Sequence, residues 1–414
     1  MKNLARFGLM MVLPVALAAL QQIKGVSAAG GPASGDSGTY RVLAPIESGN
    51  LLLFPVVRAD DRSGGDTPFI TLDEGLKSGE VEVTEAGKAR GLVRPRGGNP
   101  DSQYRGDQVN TLVLVNHSKR PLLLLAGEIV TGGKQDRIIA KDRIVPAEAD
   151  PIDLSVFCIE PGRWTESSAT FGSSSKSTMG SFMVQPQVRE KAMVDQDQQQ
   201  VWNSVHGAIT QMEVAAAPPA SGASGGSSMG MLRHLGTTSY AKAMQDSAVN
   251  EKVDEAAAPV MKAREQVLAK LRDDHAVGVV VAVHGQIIWA DLFANTDLLS
   301  RYWTKLVRSY AAESLTGDEE VRVAASTADA QHFLNSPSIG TENSQGEMGI
   351  YRYRELKSDG AETFVLESLL PGTGYDVHIS KMKLRGEEQH ASKPRPDNLP
   401  SWLRSHQYTP EIVR

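Results

Sequence analysis

The chain has 414 residues, 41 % of them hydrophobic and 22 % charged, with a formal charge of −6. That length holds one large domain or two ordinary ones, in an ordinary globular composition. No dense Lys/Arg run and no basic balance is present, which excludes nucleic acid as the expected partner.

Lys2 and Arg6 open the chain, Phe7–Leu20 is apolar, and Val26-Ser27-Ala28 offers small residues for cleavage. These are the three parts of a secretory signal peptide. The apolar stretch is shorter than the roughly 20 residues a membrane-crossing helix needs, which favours a cleaved signal over a retained anchor. No Cys follows the small residues, so a lipoprotein is disfavoured. Removing residues 1–28 takes away Lys2, Arg6 and Lys24 and no acid, lowering the charge from −6 to −9. The expectation is an exported protein, periplasmic or secreted, with no membrane span after cleavage.

Residues 29–39 are Gly/Ser-rich and read as a flexible leader. Tyr40–Ile46 and Asn50–Val57 predict two strands joined by Glu47-Ser-Gly49. Thr71-Leu-Asp-Glu74 is a capping box opening a short helix to Lys77, and Val81–Thr84 alternates as a strand. Residues 90–108 are loop-like. From Val109 to Ile159 the apolar runs Leu112–Val115, Leu122–Leu125 and Ile152–Ile159 read as buried strands, with polar clusters at their ends and turns. Cys158, the only cysteine, falls in phase with Ile152, Leu154 and Val156. That placement suits a buried structural thiol better than a reactive one.

The chain is then Ser-rich to Ser181, and Val184–Thr210 predicts a helix. Residues 215–230 are low-complexity and predict a disordered insertion. Val253–Leu271 predicts one helix. Val277–Val283 and Ile287–Phe293 predict a hairpin over His284-Gly285-Gln286. Asn295 or Thr296 then caps an amphipathic helix carrying Leu298, Leu299, Tyr302, Trp303, Leu306, Val307 and Tyr310 on one face. Strands are expected near 321–323, 350–353, 363–370 and 376–384, followed by a charged tail over 386–414. Strands in runs with helices clustered elsewhere define an α+β fold: a strand-rich central sheet region with helices packed on it, preceded by the cleaved signal. Residues 40–315 form the main domain and 316–385 a β-rich C-terminal part.

Gly132-Gly-Lys-Gln-Asp-Arg137 is the strongest chemical candidate. Two glycines allow backbone N–H groups close to an anion, and Lys134 and Arg137 supply cationic donors. Arg163, in Glu160-Pro-Gly-Arg-Trp164, completes a clamp if the fold brings it near. The alternative is a hairpin turn with solvated charges. Glu128, Asp136 and Glu160 flank the same turns and suit either acid/base work or ion pairing with Lys134, Arg137 and Arg163. Nine histidines include no His-Glu-x-x-His or Cys/His spacing, so no metal site is expected. Ser173-Ser-Ser-Lys176 fits Ser-x-x-Lys but lacks its companion motifs.

The order Asn116-His-Ser, Arg120-Pro-Leu-Leu-Leu-Leu-Ala-Gly-Glu128, Gly133-Lys-Gln-Asp-Arg137 and Glu160-Pro-Gly-Arg-Trp164 resembles the ARG and rhodanese-phosphatase-superfamily-associated protein family. Ala290-Asp-Leu-Phe293 and Trp303-x-Lys-Leu-x-Arg-Ser-Tyr310 are similar to later family segments. The resemblance covers roughly residues 40–315. It implies a link, by genomic association, to NAD and ADP-ribose metabolism, and it maps the family's charged segments onto Gly132–Arg137 and Glu160–Trp164. Here the chain departs by its signal segment, its 215–230 insertion and its C-terminal extension.

Two functions stand side by side. In the first, an exported domain binds or processes an anionic, ADP-ribose-like ligand. Gly132, Gly133, Lys134, Gln135, Asp136, Arg137 and Arg163 form its site, Trp164 stacks on a ring, and Glu128 and Glu160 act as acid/base groups. In the second, a non-catalytic envelope protein uses the same residues as structural ion pairs. Cofactor, enzymatic activity and oligomeric state are left open by the sequence.

Overall fold

The computed structural model describes residues 40–58, 67–91, 109–173, 181–217, 234–315, 324–338, 340–358 and 360–384. The signal segment, the leader, residues 92–108, Lys176, most of 215–230, the strand expected near 321–323 and the tail lie outside the described residues.

Strands come first: β1 (Tyr40–Val42), β2 (Ile46–Ser48), β3 (Leu51–Arg58) and β4 (Ile70–Thr71), then helix α1 (Leu72–Ser78) and β5 (Val81–Glu85). The central β region supplies β6 (Thr111–Asn116), β7 (Leu122–Leu124), β8 (Ile129–Gly132), β9 (Arg137–Ile139), β10 (Arg143–Val145), β11 (Ala149–Cys158) and β12 (Phe171–Ser173). A helical block follows, α2 (Pro186–Glu190), α3 (Gln198–Ala215), α4 (Tyr240–Gln245), α5 (Ser247–Ala256), α6 (Ala258–Lys262) and α7 (Arg264–Asp273). After the hairpin β13 (Ala276–Val283) and β14 (Gln286–Phe293) come α8 (Thr296–Ser314) and α9 (Thr327–Asn335). The meander β15 (Thr341–Glu347), β16 (Tyr351–Ser358), β17 (Ala361–Ser368) and β18 (Asp376–Lys383) ends the described chain. The fold is α+β.

Three sheets carry it. An antiparallel nine-stranded sheet runs β1-β3-β13-β14-β18-β17-β16-β15, with β2 also on β3. A six-stranded sheet runs β12-β8-β9-β11-β6-β5, and a three-stranded one runs β10-β7-β4. The C-terminal strands are not a separate layer, because β18 pairs with β14 from Trp289↔Met382 to Phe293↔His378. In the large sheet the apolar runs are buried on both faces. Leu51, Leu53, Val279 and Val281 face the helical block, whereas Leu52, Phe54, Val280 and Ala282 face α9. That is why β3 and β13 read as continuous apolar runs rather than alternating ones. Between the two smaller sheets lies a second core of Val83, Leu112, Leu114, Leu124, Val130, Ile139 and Val156.

Helix α8 is capped by the Asn295 side chain, which accepts from the Leu298 N–H at 3.0 Å, and its predicted apolar face is buried in the main core. The capping box at Thr71 and Glu74 forms as the sequence predicts. His284 and Gly285 both adopt positive φ, the geometry a two-residue hairpin loop requires.

Some expectations need correction. The strand expected over 40–46 is two, β1 and β2. The helix expected over 184–210 breaks, because Gln196 turns left-handed at φ 51° and Asp197 caps a new start by accepting from the Gln200 N–H. The helix expected over 253–271 is three short ones, α5 to α7, with Pro259 in the first turn of α6 removing a backbone donor. Strand β15 and helix α9 escape the hydrophobic pattern because their residues are largely polar; β15 is an exposed edge strand.

Candidate functional site

The β8–β9 connection is built around its own acids. Its strands pair Ile129↔Ile138 and Val130↔Arg137, leaving residues 131–136 to turn. Gly133 sits at φ 49°, and a Cβ there would fall 2.2 Å from the Phe171 ring, so only glycine fits. The loop amides point inward. The Gly132 N–H donates to Asp136 Oδ1 at 3.0 Å, the Gly133 N–H to Ser168 Oγ at 3.1 Å and the Lys134 N–H to Glu85 Oε1 at 2.7 Å. The amides expected to cradle a foreign anion therefore hold two of the chain's own carboxylates and a hydroxyl.

The second segment lies beside the first, because β11 pairs with β9 through Phe157↔Ile138 and Cys158↔Arg137, so Glu160–Trp164 leaves the sheet where Gly132–Arg137 enters it. Arg163 crosses between them. Its guanidinium lies 2.5 Å from Glu160 Oε2 and 3.5 Å from Asp136 Oδ1, and it donates to the Gly133 carbonyl at 3.1 Å. Lys242 from α4 reaches Glu160 Oε1 at 3.1 Å. Ser239 donates to Asp136 Oδ2 at 2.9 Å, and Gln135 donates to the Glu160 carbonyl at 3.1 Å. Burial raises the Asp136 carboxyl, with the like charge of Glu160 adding to it. Burial also acts to raise Glu160, but its bonds to Arg163, to the Asp136 amide and to Lys242 prevail and bring it below the ordinary value.

Gly132, Gly133, Gln135, Asp136, Glu160 and Arg163 thus form one closed, internally bonded latch. Of the two alternatives the sequence offered, the ion-paired one describes Arg163 and the Gly132 amide, which meet the chain's own carboxylates, while the Gly133 amide meets the Ser168 hydroxyl.

Arg137 is different. It opens β9, is 0 % exposed, and donates from Nε to the Val109 carbonyl at 2.9 Å. Its Nη1 and Nη2 are buried without a hydrogen-bond partner among the described residues. Its guanidinium carbon lies 5.7 Å from the centre of the Trp164 ring, over which Lys134 Nζ also sits at 5.0 Å. Trp164 is 44 % exposed. Burial lowers the Arg137 pKa from its ordinary value, opposed by the negative charges of Glu85 and Asp136 nearby. Burial also raises the Cys158 thiol, which makes it the inert structural cysteine its strand phase predicts.

Glu128 belongs to another cluster and shares no bonding partner with Glu160. It is fully buried, with Oε1 2.5 Å from Lys305 Nζ and Oε2 accepting the Leu125 N–H at 2.7 Å. Burial raises its carboxyl against the pull of Lys305. Both carboxylate oxygens of Glu128 and both of Glu160 are engaged by hydrogen-bond or ion-pair partners.

A larger buried network went unread in the sequence. Asp291 on β14 takes Arg189 at 3.0 and 3.3 Å, Ser380 at 2.7 Å and the Tyr310 hydroxyl. His378 lies 2.6 Å from Asp142 and 3.2 Å from Asp291. Arg189 also lies over the Trp289 ring, and its stem passes so close to Gly127, at φ 86°, that a Cβ there would sit 2.5 Å away. Asp142, between β9 and β10, and His378, on β18, tie the small sheets to the large one. The signal was present in Asp291 of Ala290-Asp-Leu-Phe293 and in Tyr310 of Trp303-x-Lys-Leu-x-Arg-Ser-Tyr310, but spacing alone does not say that they face inward together.

Among the described residues no group of three or more His, Cys, Asp or Glu side chains is arranged to hold a metal ion, and no helix is long and apolar enough to cross a membrane. The architecture defines a mixed α+β protein in which a buried arginine and a half-exposed tryptophan flank an internally latched loop. The chain belongs to the ARG and Rhodanese-Phosphatase-superfamily-associated Protein domain family, ARPP-1, whose family model matches residues 39–382. No curated protein and no solved structure matches it.

Proposed function

We propose that this chain is an exported binding protein for a small anionic ligand of the ADP-ribose kind, taken up at Arg137 and Trp164. The observation that carries the reading is the Arg137 guanidinium, which is fully buried with both terminal nitrogens unpartnered among the described residues. Burying a cation without bonding its donors is unfavourable by several kcal/mol unless a counter-charge arrives. A phosphate matches the two parallel Nη donors. Trp164, half exposed beside it, offers a face for a base or sugar ring. Binding is favoured over catalysis because Glu128 and Glu160 are fully engaged. Export rests on the three-part N-terminal segment, and the nucleotide class on the family's association with ADP-ribose metabolism.

The rival reading, a non-catalytic envelope protein with structural ion pairs, is favoured by the closed latch of Arg163, Glu160, Asp136 and Lys242. Thermal unfolding of the mature chain with ADP-ribose, AMP and inorganic phosphate separates the two. The binding reading predicts a concentration-dependent rise in midpoint that Arg137→Met abolishes. No rise with any of the three, or an equal rise in Arg137→Met, supports the rival.

A further inference from the structure

The outer face of the nine-stranded sheet holds a second feature. Along β18, His378, Ser380 and Met382 face the helical block, so the period-two alternation sends Ile379 and Lys381 to the opposite side, beneath α9. There a cavity of about 860 Å³ opens between α9, the β13–β14 turn and the ends of β16 to β18. That volume is within the usual range for small-molecule sites, about 300–1,000 Å³. Ile287, Phe333, Pro337 and Ala361 give its walls an apolar character, and Lys381 lies in its lining.

Lys381 is 6 % exposed. Its Nζ donates to the Ser336 carbonyl at 2.5 Å and lies 5.3 Å from the centre of the Phe333 ring. It has no carboxylate partner among the described residues, and burial alone lowers its ammonium to about 8. The acid of the lining, Asp329, is engaged instead in capping α9, where it accepts from Ser326 N at 2.9 Å and Ser326 Oγ at 2.6 Å. A backbone carbonyl and a ring face stabilise an ammonium but leave its charge unneutralised. A buried lysine at this depth ordinarily has an anion beside it.

We infer that the cavity under α9 binds a small organic carboxylate, its charged group on Lys381 Nζ and its hydrocarbon part against Phe333 and Ile287. Lys381 is the buried cation of the lining, His332 and Lys383 being exposed at it, so one negative charge meets one buried ammonium, and the apolar walls favour a hydrocarbon tail. Inorganic phosphate, needing several donors and offering no apolar surface, matches poorly. This site is independent of Arg137, which lies in the other β region.

Calorimetric titration of the full chain with butanoate, hexanoate, octanoate and inorganic phosphate at pH 7 tests the inference. Carboxylate affinity is expected to rise about fourfold per added methylene while the tail finds apolar wall, with phosphate at least tenfold weaker than octanoate. Lys381→Met should weaken octanoate at least tenfold with no loss of thermal midpoint, since it removes an uncompensated buried charge. Lys381→Arg should stay within a few-fold of wild type, and Arg137→Met should leave the titration unchanged. Failure of every carboxylate to bind, phosphate binding as tightly as octanoate, or unaltered binding by Lys381→Met overturns the inference.

Discussion

Replacing Arg137 by methionine separates a ligand-binding arginine from a structural one. The substitution keeps an unbranched chain of similar reach and removes two buried, unpartnered Nη groups. Each unsatisfied buried donor is unfavourable by about 1–3 kcal/mol, and the Nε bond to Val109 contributes about 1.5 kcal/mol in return. The ring contact with Trp164 contributes about 1 kcal/mol more. The balance favours methionine by about 1 kcal/mol, a rise in thermal midpoint of about 2 °C for a chain of this size. Urea unfolding of the ligand-free protein should therefore show Arg137→Met at least as stable as wild type while the response to ADP-ribose disappears. A stability loss above about 2 kcal/mol in the ligand-free protein would refute the reasoning, because it would mean that the guanidinium is held by structural bonds after all.

Arg163→Met should behave oppositely. It strips the charge partner from Glu160 and Asp136, and the expected loss is about 2–4 kcal/mol, read as a lower urea midpoint at pH 7 that narrows in acid as the two carboxyls protonate. Gly133→Ala forces a left-handed backbone and a clash with Phe171, and should lower stability by about 2–4 kcal/mol in the same assay. Burial disfavours the His378 imidazolium, but Asp142 and Asp291 outweigh it and raise the ring from 6.5 to about 9. Its stabilisation is thus complete below pH 6.5 and lost as pH climbs through about 9, on the order of 3 kcal/mol. His378→Asn should flatten that slope in urea midpoints measured from pH 6 to pH 10. Lys381 runs with the opposite sign, adding stability between about pH 8 and its ordinary 10.5, so the His378 contribution is read as the difference between variant and wild type.

The strands with apolar content were legible because burial writes itself into periodicity. β3, β6, β11, β13 and β14 follow apolar runs, and α8 follows its 3.6-residue stripe. Strand β15 was not legible, since an exposed edge leaves no apolar trace. The breaks at Gln196 and Pro259 were local signals that a longer helical pattern masked. At the site, the sequence singled out two loops but left open whether they meet, which the pairing of β11 with β9 decides, and how their charges are allocated. Arg137 opens β9 and Arg163 lies in the loop after β11, yet Arg163 meets Glu160 while Arg137, among the described residues, bonds only a backbone carbonyl and faces a ring. That distinction depends on which acids fold beside each guanidinium, and chain spacing does not record it. His378 and Asp142 lie 236 positions apart, so their pairing is a property of the strand order alone.

The most direct test of the central claim follows the arginine side chains themselves. Guanidinium ¹⁵N NMR of the mature protein, titrated with ADP-ribose, should move one buried resonance that is missing from Arg137→Met while the Arg163 resonance stays in place. A titration in which no buried guanidinium resonance moves, or in which the Arg163 resonance responds in its stead, would contradict the account.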